Sequence, residues 1–131
     1  MFKNTVAYSS FAVDDRNKAK DFYGKVLGLE IEDTPEGLTI HLAGGATLFC
    51  YQRDNFSAPE NTILNFMVMD IDKTVEELEE AGVHMEQYDM GGGMKTDEEG
   101  IVRSDGKHPG PKAIAWFKDP AGNIIAVIQE K

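Results

Sequence analysis

Cysteine is nearly absent from this 131-residue chain, tryptophan occurs once, and no apolar run approaches the roughly 20 residues of a membrane span. The lone cysteine, Cys50, excludes an internal disulfide, so any stability must come from a packed core. The N-terminal residues lack the basic-then-apolar build of a secretory signal, and the expectation is a soluble, cytoplasmic protein. Basic residues are the minority, thirteen against twenty-three acidic, for a net charge of −10. That surplus repels phosphate backbones and anionic lipid alike, which argues against nucleic acid and membrane as partners and favours a small apolar or cationic ligand. No nucleophile motif of the GxSxG type is present.

What the chain does contain is enough residues for one domain with a core of its own, and a pattern that occurs twice. "NTVAYSSFAV" (4–13) reads as a strand, and Asp14-Asp15 can cap a helix that places Ala19, Phe22, Tyr23 and Val26 on one face before Gly28 ends it. Three short strands follow at 29–33, 38–43 and 46–52, separated by the turn-forming "TPEG" and "GG". After the polar connector 54–61 the order restarts. "TILNFMVM" (62–69) is strand-like, Asp70 or Asp72 caps a helix with Ile71, Val75 and Leu78 on its buried stripe, and Gly82 closes it. Strands are then expected at 83–88, 113–119 and 123–129. The last follows the Asp119-Pro120-Ala121-Gly122 turn, and its continuous apolar run leaves neither face to water. Pairing Asp14 with Asp70 gives an offset of 56 (70 − 14), and pairing Gln52 with Gln129 gives 77 (129 − 52). The excess of 21 is supplied by the irregular segment 90–111.

"AVDDRNKAKDFYGKVLGLEI", "VMDIDKTVEELEEAGV" and "FKDPAGNIIAVI", taken in this order, resemble the glyoxalase/bleomycin-resistance/dioxygenase superfamily, also called the vicinal oxygen chelate family. The resemblance implies an α+β fold in a single domain: two βαβββ modules, 1–53 and 62–131, forming an incomplete eight-stranded barrel with the helices outside and a ligand cavity within. It also implies a homodimer, since many relatives pair two chains. In the metal-dependent members four inward side chains hold a divalent cation. Carried onto this chain from Asp14, Asp70 and the DPxGN turn, those positions are Ala7, Phe49, Ile63 and Ala126. Hydrocarbon offers no lone pairs to a metal, so no metal and no cofactor are expected.

Alternation from these positions adds Ser9, Phe11, Thr47, Tyr51, Asn65, Met67, Ile124 and Ile128 to the inner wall. The expected ligand-binding set is therefore Ser9, Phe11, Phe49, Tyr51, Ile63, Asn65, Met67 and Ala126, with Asn65 as a buried amide in need of partners. Cys50 should face the helices. His41, His84 and His108 form no metal triad by spacing. "TDEEG" (96–100) fails as a calcium loop because Lys95 stands at its first ligand position, and "GGGMK" (91–95) neither follows a strand nor opens a helix as a phosphate loop should. The segment 90–111 reads instead as a flexible lid, with Met90, Met94 or Ile101 touching the ligand. The function expected is metal-independent binding of a small molecule, similar to the drug-sequestering members. The alternative is a lyase or ring-cleaving dioxygenase whose metal sits at displaced positions such as His41 or Glu86, and a chiefly dimerising module is a third possibility.

Overall fold

Each helix starts where an aspartate side chain accepts a hydrogen bond from the backbone three residues on. Asp15 accepts from the Lys18 N–H at 3.1 Å and Asp70 from the Lys73 N–H at 3.2 Å. A second cap comes from far along the chain. Gln52 Oε1 accepts from the Arg16 N–H and Gln129 Oε1 from the Ile71 N–H, both at 2.9 Å. Each glutamine ends the last strand of its module, so the same bond locks helix start to strand end in both halves.

The computed structural model describes all of residues 1–131 and divides them into two compact units, Met1–Ala58 and Pro59–Lys131. The first contains β1 (Ser9–Val13), α1 (Arg16–Asp21), β2 (Glu30–Asp33), β3 (Leu38–His41) and β4 (Thr47–Gln52). Beyond α1 the helix widens over Phe22–Val26, where the Leu27 N–H reaches back five residues to the Phe22 carbonyl. The second contains β5 (Thr62–Met67), α2 (Ile71–Glu80), β6 (Ile101–Arg103), β7 (Ala113–Lys118) and β8 (Ile124–Gln129). The strand orders β1-β4-β3-β2 and β5-β8-β7-β6 are the same, with the first and last strands of each module paired in parallel. The fold is α+β, two βαβββ modules, each built on an open four-stranded sheet.

One face of each sheet is packed under its helix. In the first unit Phe11, Val13, Leu38, Ile40, Leu48 and Cys50 are buried, and Phe11 and Phe22 set their rings at 5.4 and 5.3 Å from that of Tyr23. In the second, α2 packs on β7 and β8, with Ile71, Val75 and Leu78 buried, as are Ala115, Phe117, Ile125 and Val127 of those strands. Each such aliphatic side chain removed from water contributes about 2 kcal/mol.

Two sequence expectations change. The strand expected at 83–88 is reduced to single contacts with β7: a bridge from Met85 to Phe117 and a bond from the Glu86 N–H to the Trp116 carbonyl. The regular edge strand is β6, inside the segment expected to be a lid. Between these two pieces the chain makes an excursion, a narrow hairpin in which the backbones of Asp89 and Lys95 form a single β-bridge with no ion pair between their side chains, and whose tip is Gly91-Gly92-Gly93. It returns through a turn in which Asp97 Oδ1 accepts from the Glu99 and Ile101 N–H groups. Ile101 is thereby fully buried in the core rather than available to a ligand.

Gly37 is a sensitive point. A Cβ there would lie 2.6 Å from the Cys50 carbonyl oxygen and 2.7 Å from the Phe49 ring. Gly37→Ala is expected to destabilise the protein by about 1–3 kcal/mol, measured by urea unfolding, because backbone of β4 must move to admit the methyl group.

Candidate functional site

Period-two alternation sends the residues not under the helices to the opposite face of each sheet, and the register shows which they are. On the first sheet, Ser10 pairs with Phe49 and Ala12 with Tyr51, while Thr39 stands beside Phe49 and His41 beside Thr47. The Phe49 and Tyr51 rings stack at 6.1 Å with an interplanar angle of 19°. A cavity of about 510 Å³ opens over this face, lined by Tyr8, Glu36, Thr39, Thr47, Leu48 and Phe49. Glu36 is carried on the turn between β2 and β3, which Arg16 ties down by donating to Asp33 and to the Thr34 carbonyl. The Arg16 hydrogen bond, supported by that from Lys20, holds the Asp33 carboxyl below the usual carboxylate range.

On the second sheet, Asn65 pairs with Ala126 and Met67 with Ile128, and across β7 Trp116 and Ile114 continue the same two rows. The Tyr88 ring meets Trp116 edge-on at 5.5 Å. Burial, and then the neighbouring Glu86 carboxylate, pushes the Tyr88 phenol above its ordinary pKa. Glu86 itself pairs with Lys118 at 3.2 Å. Beyond Ile114 the face runs into a cavity of about 410 Å³ between the hairpin tip 92–95 and the loop 104–111.

Of the eight residues expected to line a ligand site, seven fall into three groups and Ile63 stands apart. Phe49 and Tyr51 share the open face of the first sheet, and Asn65, Met67 and Ala126 share that of the second. Ser9 and Phe11 do not belong with them: they pair with Leu48 and Cys50 on the helix side, where Phe11 is buried against Tyr23. The reason is an anchor displaced by one residue. The helix cap is Asp15, not Asp14, which makes the first offset 55 (70 − 15), and a shift of one exchanges the faces of a strand. Counted from Asp15, the first of the four metal positions moves from Ala7 to Tyr8. Ile63 is the extra residue of a bulge between Thr62 and Leu64 and keeps no register partner. Asn65 is exposed, so water satisfies its amide without a buried partner. Tyr8, Trp116 and Ile114 are the residues missed; the facing of β1 is set by the long-range bond from the Arg16 N–H to Gln52.

Chemistry at the four positions does not fit a divalent metal, whether the first is Ala7 or Tyr8: Phe49, Ile63 and Ala126 carry no donor atoms. Nor does any group of three or more His, Cys, Asp or Glu side chains come together to hold one. His41 is half-buried on the open face of β3, and His84 is exposed beside Glu79, Glu98 and Glu99. His108 pairs with Asp105 at 3.0 Å. The Lys107 N–H, with help from the His108 ring, holds the Asp105 carboxyl below its usual range.

The family model described as the Glyoxalase/Bleomycin resistance protein/Dioxygenase superfamily matches residues 5–127. The chain belongs to that superfamily. Solved structures of similar fold include the glyoxalase family protein from Enterococcus faecalis, 21% identical, with a TM-score of 0.68 and coverage of 98% of this chain and 99% of that one. TnmS3, an antibiotic binding protein from a Streptomyces species, is 24% identical over 98% of each chain, with a TM-score of 0.65. A variant of the fosfomycin resistance protein FosX from Listeria monocytogenes, solved with Mn(II) and a dihydroxypropylphosphonic acid, is 16% identical. It covers 95% of this chain and 89% of its own, with a TM-score of 0.65. No curated protein matches the chain significantly. Proteins of similar fold thus include both an antibiotic binding protein and a resistance protein solved with Mn(II). No helix in this member is long and apolar enough to cross a membrane.

The Asp33 arrangement has a pH signature. Its folded pKa is depressed, so its contribution is complete above the ordinary carboxylate value of 3.8 and is lost as pH falls through the lower, folded value. Asp33→Asn should lower the urea midpoint at neutral pH, and its difference from the parent protein should shrink as the pH is taken below about 4.

Proposed function

We propose that this chain is a metal-independent small-molecule-binding protein that sequesters an apolar cation and performs no chemistry on it. The observation that carries the reading is Phe49, which stands at one of the positions carried over from the metal-dependent members, lines a cavity bordered by Glu36 and Tyr8, and is stacked on Tyr51. Aromatic faces attract a cation through their quadrupole by about 0.5–2 kcal/mol, and a carboxylate at the rim adds a charge of the right sign. The overall charge of −10 works in the same direction, concentrating cations near the surface. TnmS3, named as an antibiotic binding protein, supports the reading by likeness of fold. The metal-dependent alternative would rely on His41 or Glu86, and Glu86 is already committed to Lys118. In this reading the protein acts in the cytoplasm as a homodimer.

Benzyltrimethylammonium, titrated calorimetrically, is the test. Saturable binding that is unchanged by excess EDTA is expected. Phe49→Ala should weaken it about three- to tenfold, and Glu36→Gln should weaken it less, with that smaller loss vanishing at high salt. Binding abolished by the chelator, or a stoichiometric divalent ion in the purified protein, would overturn the proposal.

A further inference from the structure

The glycine-rich hairpin tip and the cavity beneath it are used by nothing above, and they lie wholly within the second unit. The cavity, about 410 Å³, has an apolar floor of Val102 and Ile114, adjacent on β6 and β7, and an apolar side at Pro109 and Pro111. Its charged lining is not balanced. Arg103 is engaged by Asp72 at 2.6 Å and by Asp97 at 3.5 Å. Asp105, the acidic residue of the lining, accepts from the Lys107 N–H at 2.8 Å and pairs with His108. Lys95 is left without a carboxylate partner. The Gly92 and Gly93 N–H groups, two and three residues away on the same tip, make no bond within the protein, whereas their neighbours Gly91 and Met94 do.

A free ammonium and two free amides at one end of an apolar cavity are donors without an acceptor, in a protein whose surface is otherwise acidic. We propose that this cavity binds a small organic anion, an apolar body carrying one carboxylate or phosphate group, with Lys95 as its ionic anchor and the Gly92 and Gly93 amides as neutral donors. The apolar body lies over Val102 and Ile114. The loop 104–111, closed at its base by a bond from the Ser104 N–H to the Lys112 carbonyl, forms the far wall. Selectivity follows from the division of labour: the floor rewards apolar area, and the tip favours an anionic head group because a neutral one gives the Lys95 ammonium no counter-charge and the amides only a weaker, uncharged acceptor. This site is independent of the cation-binding reading, since it shares no residue with the first unit.

Amide NMR of the full chain, titrated with benzoate, phenyl phosphate, neutral benzamide and inorganic phosphate, decides the matter. Saturable shifts should converge on Gly92, Gly93, Lys95, Val102 and Ile114 with benzoate or phenyl phosphate, and the stronger of the two identifies the preferred head group. Benzamide should bind about tenfold more weakly. Lys95→Gln, an exposed change expected to leave the melting temperature unaltered, should weaken the anions about five- to tenfold and leave benzamide unaffected. Equal affinity for benzamide and benzoate, or an unchanged benzoate affinity in Lys95→Gln, would overturn the ionic anchor. Inorganic phosphate binding as tightly as phenyl phosphate would overturn the apolar half.

Discussion

Parallel pairing of the first and last strand within each module is the constraint on which the rest depends. It brings residues about forty to sixty positions apart into register, Ser9 to Leu48 and Thr62 to Ile124, and no local turn can do this. The Gln52 and Gln129 caps reinforce it, because each bonds the helix start to the end of the strand that closes the module. Once that register is set, every side chain has its face assigned. Large apolar residues under the helix supply the stability, and the opposite face is free to vary in chemistry.

That freedom has been used differently in the two copies. The first module's open face is aromatic with a carboxylate near its cavity, whereas the second is aliphatic around one tryptophan and ends against an excursion whose lysine lacks a counter-ion. A net charge of −10 is therefore a poor guide to local recognition. The charges that decide it are those left unpaired beside a cavity, since a paired surface charge contributes little beyond its own partner.

The excursion 89–100 shows how an insertion is accommodated without loss of the sheet. It divides the edge strand rather than a central one. Only the outer side of β7 is interrupted, and its pairing with β8 remains continuous from Ala113 to Lys118. Gly100 makes the return possible: at φ +85° and with its Cβ position 2.8 Å from that of Met85, no larger residue would let the two edge pieces meet. Edge placement also leaves the hairpin tip beside the open face, which is where an insertion can add to recognition.

Periodicity and turn chemistry determined the repeated order of strand, helix and strands and the helix stripes Ala19-Phe22-Tyr23 and Ile71-Val75-Leu78, because these depend on neighbours within a few residues, while the two βαβββ modules and the facing of Cys50 came from the family resemblance. The residues that the family resemblance sets at the metal positions of the metal-dependent members are, on the sequence, hydrocarbon or aromatic. The sequence did not determine the facing of β1. Asp14 and Asp15 are equally good caps on paper, and the choice between them, which reverses every side chain of the strand, was made by the Gln52 bond across the module. Nor did it place Lys95 beside Val102 and Ile114, or divide the edge strand at Met85 and Ile101. Those are long-range pairings, whose free energy comes from contacts that exist only after the chain has closed on itself, so no local pattern records them.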